Sequence, residues 1–115
     1  MTMTTLLVFE FPFSGPWGDE MAEALQGLAA DIAGEPGLIW KVWTEAKERG
    51  VAGGAYLFET EEAAKTYTAK HSARLAQFGI TGIDVRSFAD VEKQTARTGA
   101  VLRIERGRPF GKWTR

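Results

Sequence analysis

The sequence predicts an α+β domain in which a four-stranded antiparallel sheet has two helices packed on one face. Two observations predict this fold class. Strand-like segments rich in β-branched and aromatic residues alternate with amphipathic segments of helical spacing, in the order β-α-β-β-α-β. Gly and Pro residues stand at most of the junctions between these segments, where they favour turns.

The first strand and the first helix are predicted from the N-terminal third of the chain. Residues 4–11 are aliphatic, aromatic or β-branched apart from one glutamate, and such residues favour strands. After a loop rich in Gly and Pro, helical spacing of apolar residues begins near Asp19, whose carboxylate favours a helix N-terminus. Gly34 is a natural helix stop, and Pro36 prevents continuation.

The segment 34–45 is predicted to be the central strand, entered through a Gly-Pro-Gly turn. Trp40 and Trp43 are three residues apart, so they should lie on opposite faces of a strand. Strict alternation puts the remaining residues with one or the other of them: Leu38, Val42 and Thr44 with Trp40, and Ile39, Lys41 and Glu45 with Trp43.

The second half repeats the pattern. A charged turn over residues 46–51 precedes a strand over residues 53–58, and Thr60 is suited to cap the second helix, which Gly79 ends. A fourth strand is predicted over residues 82–88. The apolar stripe of the second helix is expected to be buried and consists of Ala64, Tyr67, His71, Leu75 and Phe78.

This order of elements is the split βαβ pattern of the ferredoxin-like fold, whose sheet has one face without helices. Here that face would carry aromatic and aliphatic side chains, and exposure of so large an apolar patch to water is costly. A homodimer that buries sheet against sheet is therefore expected.

Residues 1–99 are expected to form this single domain, and residues 100–115 a basic C-terminal tail. A short helix is predicted from Asp90, as its cap, to Arg97, and residues 100–104 are suited to a short fifth strand. The tail is interpreted as a solvated end, with an RNA- or phosphate-binding arm as the alternative.

Composition excludes several classes of function. A net charge of −1 argues against a nucleic-acid binder, and the lack of cysteine excludes disulfides and thiolate sites. With one histidine and no dense carboxylate cluster, no metal site is expected. No signal peptide or membrane-spanning run is evident, so a cytoplasmic location is expected.

Four motifs together resemble a known family. They are GPWGDEMAE at residues 15–23, EPGLIWKVWTE at 35–45, AGGAYLF at 52–58 and KHSARL at 70–75. In this order they resemble the mono-oxygenase family of YdhR type, small bacterial proteins of the dimeric α/β-barrel superfamily. The resemblance covers the chain from about residue 4 to residue 88, and the basic tail does not match it.

The resemblance implies a homodimeric α/β barrel with a pocket between sheet and helices in each protomer. Relatives in the superfamily oxidise aromatic polyketides without metal or flavin, so a cofactor-independent mono-oxygenase acting on a phenol or quinol-like molecule is expected. No phosphate-binding loop or dinucleotide-binding motif is present. A binding protein without catalysis is the alternative. Haem degradation ranks last, because the first strand lacks asparagine and the third strand lacks tryptophan.

The candidate catalytic residues are His71 and Arg74. Histidine has an unperturbed pKa close to working pH, which suits a proton acceptor for a phenol; the alternative is a core histidine satisfied by a backbone carbonyl or by Tyr67. Arg74, one turn later, could hold a phenolate or enolate, or could form a surface ion pair.

The candidate substrate-binding residues are aromatic. Trp40 and Trp43 are expected mainly in packing, with one of them also lining the pocket. Trp17 is a lid candidate or a staple over the first helix. Tyr56 could donate its hydroxyl hydrogen or lie at a sheet edge, and Tyr67 completes this set. Lys41 and Glu45 share a strand face; if that face is the dimer seam, they are expected to be ion-paired across it, and neither is expected to be a catalyst.

Overall fold

The computed structural model describes residues 4–99 and has the predicted order of strands and helices. Within this range the strands are β1 (Thr5–Pro12), β2 (Leu38–Ala46), β3 (Val51–Phe58) and β4 (Asp84–Ala89). The helices are α1 (Gly18–Ala24), α2 (Gln26–Ala33), α3 (Glu61–Gln77) and α4 (Glu92–Arg97). A short 3-10 helix, Lys47–Arg49, connects β2 to β3.

The sheet is four-stranded, in the order β2-β3-β1-β4, and every neighbouring pair is antiparallel. β3 and β1 are central, and Phe9 lies opposite both Gly54 on β3 and Val85 on β4. The prediction of a central strand at Trp40 and Trp43 is therefore wrong, because β2 lies at the edge of the sheet. This topology confirms the α+β class and is compatible with the ferredoxin-like fold. The predicted fifth strand and basic tail lie outside the described residues.

The core lies between the sheet and the helices. Phe9, Tyr56 and Phe58 are at most 1% exposed, and they pack on Tyr67 of α3 with ring centroids 4.9 to 6.0 Å away. The same side of the sheet receives Ile32 from α2. Burial of aromatic rings of this size supplies a large share of the hydrophobic stabilisation.

Helix α3 begins as predicted, since the Thr60 hydroxyl oxygen accepts a hydrogen bond from the Ala63 backbone N–H at 3.0 Å. Four members of its predicted stripe are buried, from Ala64 to Leu75. The fifth, Phe78, was expected to be buried as well, and that prediction is wrong. Phe78 is 68% exposed because the helix ends at Gln77 and the chain turns there.

Three local predictions also need correction. The first helix is divided at Leu25, where ψ is 22°, into α1 and α2. Asp90 does not cap α4, because its carboxylate accepts hydrogen bonds from the hydroxyls of Thr4 and Thr95 instead. On β2, strict alternation fails at a bulge between Leu38 and Trp40.

The bulge decides which side chains of β2 face the helices. Leu38 lies in the core, and after the extra residue Lys41, opposite Tyr56, faces the same side. Trp40 lies opposite Leu57 and faces the other side of the sheet. Leu38 therefore shares a face with Trp43, contrary to the alternation predicted from sequence.

Candidate functional site

A cavity of about 450 Å³ lies between the helix-facing side of the sheet and the helices. Met21 of α1, Leu28 of α2 and Leu75 of α3 form part of its apolar wall. The sheet contributes Lys41, Trp43, Ala52 and Tyr56, α3 also contributes His71, and the two loops flanking the opening contribute Phe13, Gly15, Ile80 and Thr81. The volume lies in the range of small-molecule sites, which are usually apolar with a few polar groups.

Lys41 brings a charged group into this apolar space. Its Nζ atom lies 3.3 Å from the centroid of the Trp43 ring and 4.6 Å from that of Tyr56. Burial, and secondarily the positive charge of Arg74, lower the pKa of Lys41 to about 7. The ring faces favour the ammonium form and oppose this change. A lysine whose pKa is lowered in this way can both accept and release a proton near neutral pH.

Gly54 makes room for the side chain of Lys41. A Cβ atom at Gly54 would lie 2.7 Å from Cε of Lys41 and 3.2 Å from the carbonyl oxygen of Val42. The sequence pattern of paired glycines indicates either a bulge or a close approach, and the structure shows a close approach. The lysine therefore crosses β3 where that strand has no side chain.

His71 is 3% exposed, lines the cavity and is held by Arg74. Its Nδ1 atom accepts hydrogen bonds from Nη2 of Arg74 at 2.9 Å and from Nε of Arg74 at 3.3 Å. Burial, then the charges of Lys41 and Arg74, lower the pKa of His71 to about 3. A neutral ring that accepts at Nδ1 carries its hydrogen on Nε2. His71 is thus arranged to donate a hydrogen bond rather than to accept a proton.

Two tyrosines adjoin the histidine. Burial raises the pKa of Tyr56, and burial raises that of Tyr67 to about 12, so both phenols stay protonated at neutral pH. The Tyr67 ring stacks on His71 at 5.0 Å, and among residues 4–99 its buried hydroxyl has no hydrogen-bond partner. Tyr56 lines the cavity and can donate there, whereas Tyr67 supports the imidazole from behind.

The residues predicted from sequence lie at different distances from the cavity. Tyr56, His71 and Trp43 line it directly. Arg74 contacts it through His71, and Tyr67 packs beneath His71.

Two predicted tryptophans do not line the cavity wall. Trp17 packs edge-on against Phe13 at 5.4 Å, immediately before α1 and beside the loop at the opening. Trp40 faces the opposite side of the sheet, because the bulge in β2 turns it away from the helices.

The ion pair expected between Lys41 and Glu45 of two subunits needed both side chains on the uncovered face. Both face the helices instead, and Oε1 of Glu45 accepts a hydrogen bond from the backbone N–H of Gly18 at 2.9 Å. Glu45 therefore anchors the start of α1, a position where an acidic group is favourable.

Lys41 is the functional candidate that sequence reasoning missed. One signal could have found it: a lysine between two tryptophans, followed along the chain by a strand that opens with two glycines. Together these features indicate a lysine whose ammonium group contacts an aromatic ring and whose side chain passes over the glycines of the neighbouring strand.

Residues 4–99 contain neither a metal-binding cluster nor a membrane-spanning helix. No group of three or more His, Asp or Glu side chains in this range could hold a metal ion. Within the same range, none of the helices has both the length and the apolar character needed to cross a bilayer.

The family described as "Putative mono-oxygenase ydhR" matches residues 6–101 of the chain. This range includes β2, β3, β4, all of β1 except Thr5, and the residues that line the cavity. No curated protein matches the chain significantly.

Proposed function

The chain belongs to the family described as Putative mono-oxygenase ydhR, and from this premise we propose that it is a cofactor-independent mono-oxygenase for an aromatic, phenol-bearing molecule. The ligand would occupy the cavity between sheet and helices. The observation that carries the proposal is the convergence, on one apolar cavity, of a lysine with its pKa near 7 and two neutral hydrogen-bond donors.

Direct reaction with oxygen needs an electron-rich substrate. In an anthrone, loss of the phenolic or ring proton gives an anion that can transfer electrons to O₂. The ring CH₂ then becomes a carbonyl that keeps one oxygen atom, and the second oxygen leaves as water with the two hydrogens of that carbon. The protein must take up a proton, stabilise the oxyanion and exclude water.

The side chains of the cavity suit these three tasks. The amine of Lys41 is placed to take the phenolic proton, because burial lowers its pKa to about 7 and makes the neutral amine accessible near neutral pH. The Nε2–H of His71 and the hydroxyl of Tyr56 can donate hydrogen bonds to the oxygen that becomes negative. Met21, Leu25, Leu28 and Leu75 exclude water. Arg74 keeps the His71 ring oriented and neutral.

The proposal includes a homodimer formed through the uncovered sheet face. By register, this face carries Leu6 and Val8 on β1 and Trp40 and Val42 on β2. Val42 is 43% exposed in the single chain, and Phe88 on β4 is 49% exposed. The same face carries the charged residues Glu10, Asp84 and Arg86 toward its other end, so the apolar part is what supports association with a second copy.

Oxygen consumption tests the activity. The protein is incubated with a panel of anthrones and hydroquinones in an oxygen electrode, and ¹⁸O₂ is used to follow the label into the product. We expect uptake well above the rate without protein. Lys41→Met, His71→Ala and Arg74→Ala should each lower kcat/KM by about a hundredfold, the usual contribution of a positioned proton acceptor or oxyanion donor.

Two control variants remove a lysine and an arginine side chain from the protein surface. Lys65→Met and Arg97→Ala change exposed side chains on α3 and α4, away from the cavity, and should leave the rate unchanged. Saturable binding of the panel compounds without oxygen uptake would support a binding protein instead. If the control variants lost as much kcat/KM as the cavity variants, the roles assigned to Lys41, His71 and Arg74 would be wrong.

A further inference from the structure

The cavity wall formed by residues 4–99 carries positive charge without any negative charge. Lys41 is its one charged lining residue, and within residues 4–99 no aspartate or glutamate lines it. The other lining groups are aromatic, aliphatic or small and polar. A ligand in this space therefore meets a single cation in a surrounding of low polarity, where an electrostatic interaction is stronger than in water.

Within residues 4–99, no acidic side chain neutralises the two cations near the cavity. Neither Lys41 nor Arg74 has a carboxylate of this range within salt-bridge distance, and the ion pairs found there join other side chains. The partner of Arg74 is the neutral imidazole of His71, and the neighbours of Lys41 are ring faces. Glu45, the acidic residue on the same face of β2, is engaged with Gly18.

A partly buried cation without a counter-charge in an apolar surrounding is unfavourable, and an anion bound beside it reduces the penalty. We infer that the cavity binds an organic monoanion, an apolar ring-sized body with one carboxylate or phenolate oxygen placed on Nζ of Lys41. This inference rests on the proposed function for the location of the ligand and adds the charge that the ligand must carry.

Two features determine how such an anion is held. Lys41 lies across Gly54 and its Nζ atom contacts the ring faces of Trp43 and Tyr56, which fixes where an anion can meet it. The Nε2–H of His71 is a second donor, because Nδ1 is occupied by Arg74. The lowered pKa of Lys41 agrees with this view, since a bound anion would restore the charged form.

Binding measurements without turnover test the inference. Isothermal titration of the full chain compares 2-naphthoate with 2-naphthamide, a neutral compound of the same shape, and 2-naphthol with its methyl ether. We expect naphthoate to bind at least about tenfold more tightly than the amide, as a charge-assisted hydrogen bond in an apolar site predicts. The naphthol and its methyl ether test whether a phenolate binds as a carboxylate does. Absorption spectra of the mixtures show the ionised form, because naphtholate absorbs at longer wavelength than naphthol and the ether cannot ionise.

Variants assign the preference to one side chain. Lys41→Met, which keeps the length of the side chain but removes its charge, should abolish the preference for naphthoate while the amide still binds. Lys65→Met removes an exposed lysine on α3 and should keep the preference. Equal binding of acid and amide, a preference that survives Lys41→Met, or no saturable binding of any probe would overturn the inference. Tight naphthoate binding without oxygen uptake would instead refute only the proposed oxygenase.

Discussion

At the scale of single residues, Lys41 is subject to opposing effects. Burial disfavours its charge, and the faces of Trp43 and Tyr56 favour it. In the unfolded chain the same lysine has an ordinary pKa of 10.5, so between about pH 7 and that value the unfolded state binds more protons than the folded one. The contribution of Lys41 to the free energy of unfolding therefore increases as the pH rises through this window.

Lys41→Met should stabilise the protein at neutral pH while it impairs binding and activity. Removal of a buried ionisable group that costs stability predicts a gain of about 1–2 kcal/mol in the free energy of unfolding at pH 7. The gain should shrink as the pH rises toward 10.5, because the lysine of the unfolded wild-type chain then also loses its proton and folding no longer requires a deprotonation. Urea unfolding at a series of pH values measures both effects.

The outcome that would contradict this view is a destabilised Lys41→Met protein whose deficit does not change with pH. Lys65→Met is the control, since Lys65 is exposed and pairs with Glu61 one turn earlier. Its free energy of unfolding should change by a few tenths of a kcal/mol, the usual contribution of such a surface pair.

Residue roles were predictable from sequence where helical spacing decides them. His71 belongs to a stripe that recurs every three or four residues, so its burial followed from the sequence alone. Lys41 was not identified, because β2 has a tryptophan for each face and either face could have been the one next to the helices. The donor role of His71 also needed the structure, since it depends on which nitrogen Arg74 contacts.

At the scale of secondary-structure elements, β3 positions the amine of Lys41 because the strand has no side chain at Gly54. Gly54 provides the space in which Lys41 crosses the strand, and the glycine is buried. An added methyl group there would overlap the lysine side chain rather than any backbone within 3.0 Å. The lysine is flexible and can move, so the strand should persist while the position of the amine changes.

Gly54→Ala is therefore expected to act on the site more than on the fold. We predict a fall of about tenfold in naphthoate affinity, with a change in the free energy of unfolding of about 1 kcal/mol or less. Titration calorimetry and urea unfolding measure the two quantities. Gly27→Ala in α2 is the matched control, because a Cβ there meets nothing within 4 Å and alanine favours a helix. A Gly54→Ala protein with unchanged affinity would show that the lysine position is unimportant.

The elements themselves were largely predictable. Their order, the cap at Thr60 and the strand pairings implied by the split βαβ pattern agree with the structure. The division of the first helix at Leu25 and the bulge after Leu38 were not, since neither position has a Gly or Pro that would mark it. Both irregularities arise from packing against the rest of the domain, which propensity does not record.

At the scale of the whole molecule, the uncovered face of the sheet determines the proposed assembly. Its side chains are aliphatic and aromatic near β2, while the core on the other side is already complete. Closing two such faces on each other would bury them without any change within the protomer.

Val42→Glu should separate the proposed dimer. A carboxylate on this face would lose its hydration in a sheet-to-sheet interface, which costs several kcal/mol. Sedimentation velocity at micromolar concentration should show a dimer for the wild-type protein and a monomer for the variant. Val91→Glu is the control, because Val91 is 62% exposed and lies outside the sheet. A wild-type monomer under these conditions would contradict the proposed dimer.

The bulge in β2 links these scales. Ile39 is the additional residue of the bulge, between Leu38 opposite Phe58 and Trp40 opposite Leu57. If Ile39 took a regular place in the ladder instead, every side chain from Trp40 onward would exchange sides. The cavity would then receive Trp40 and Val42, and the amine of Lys41 would point toward a neighbouring molecule. One unpaired residue, rather than the composition of the strand, thus gives the ligand space its charged group.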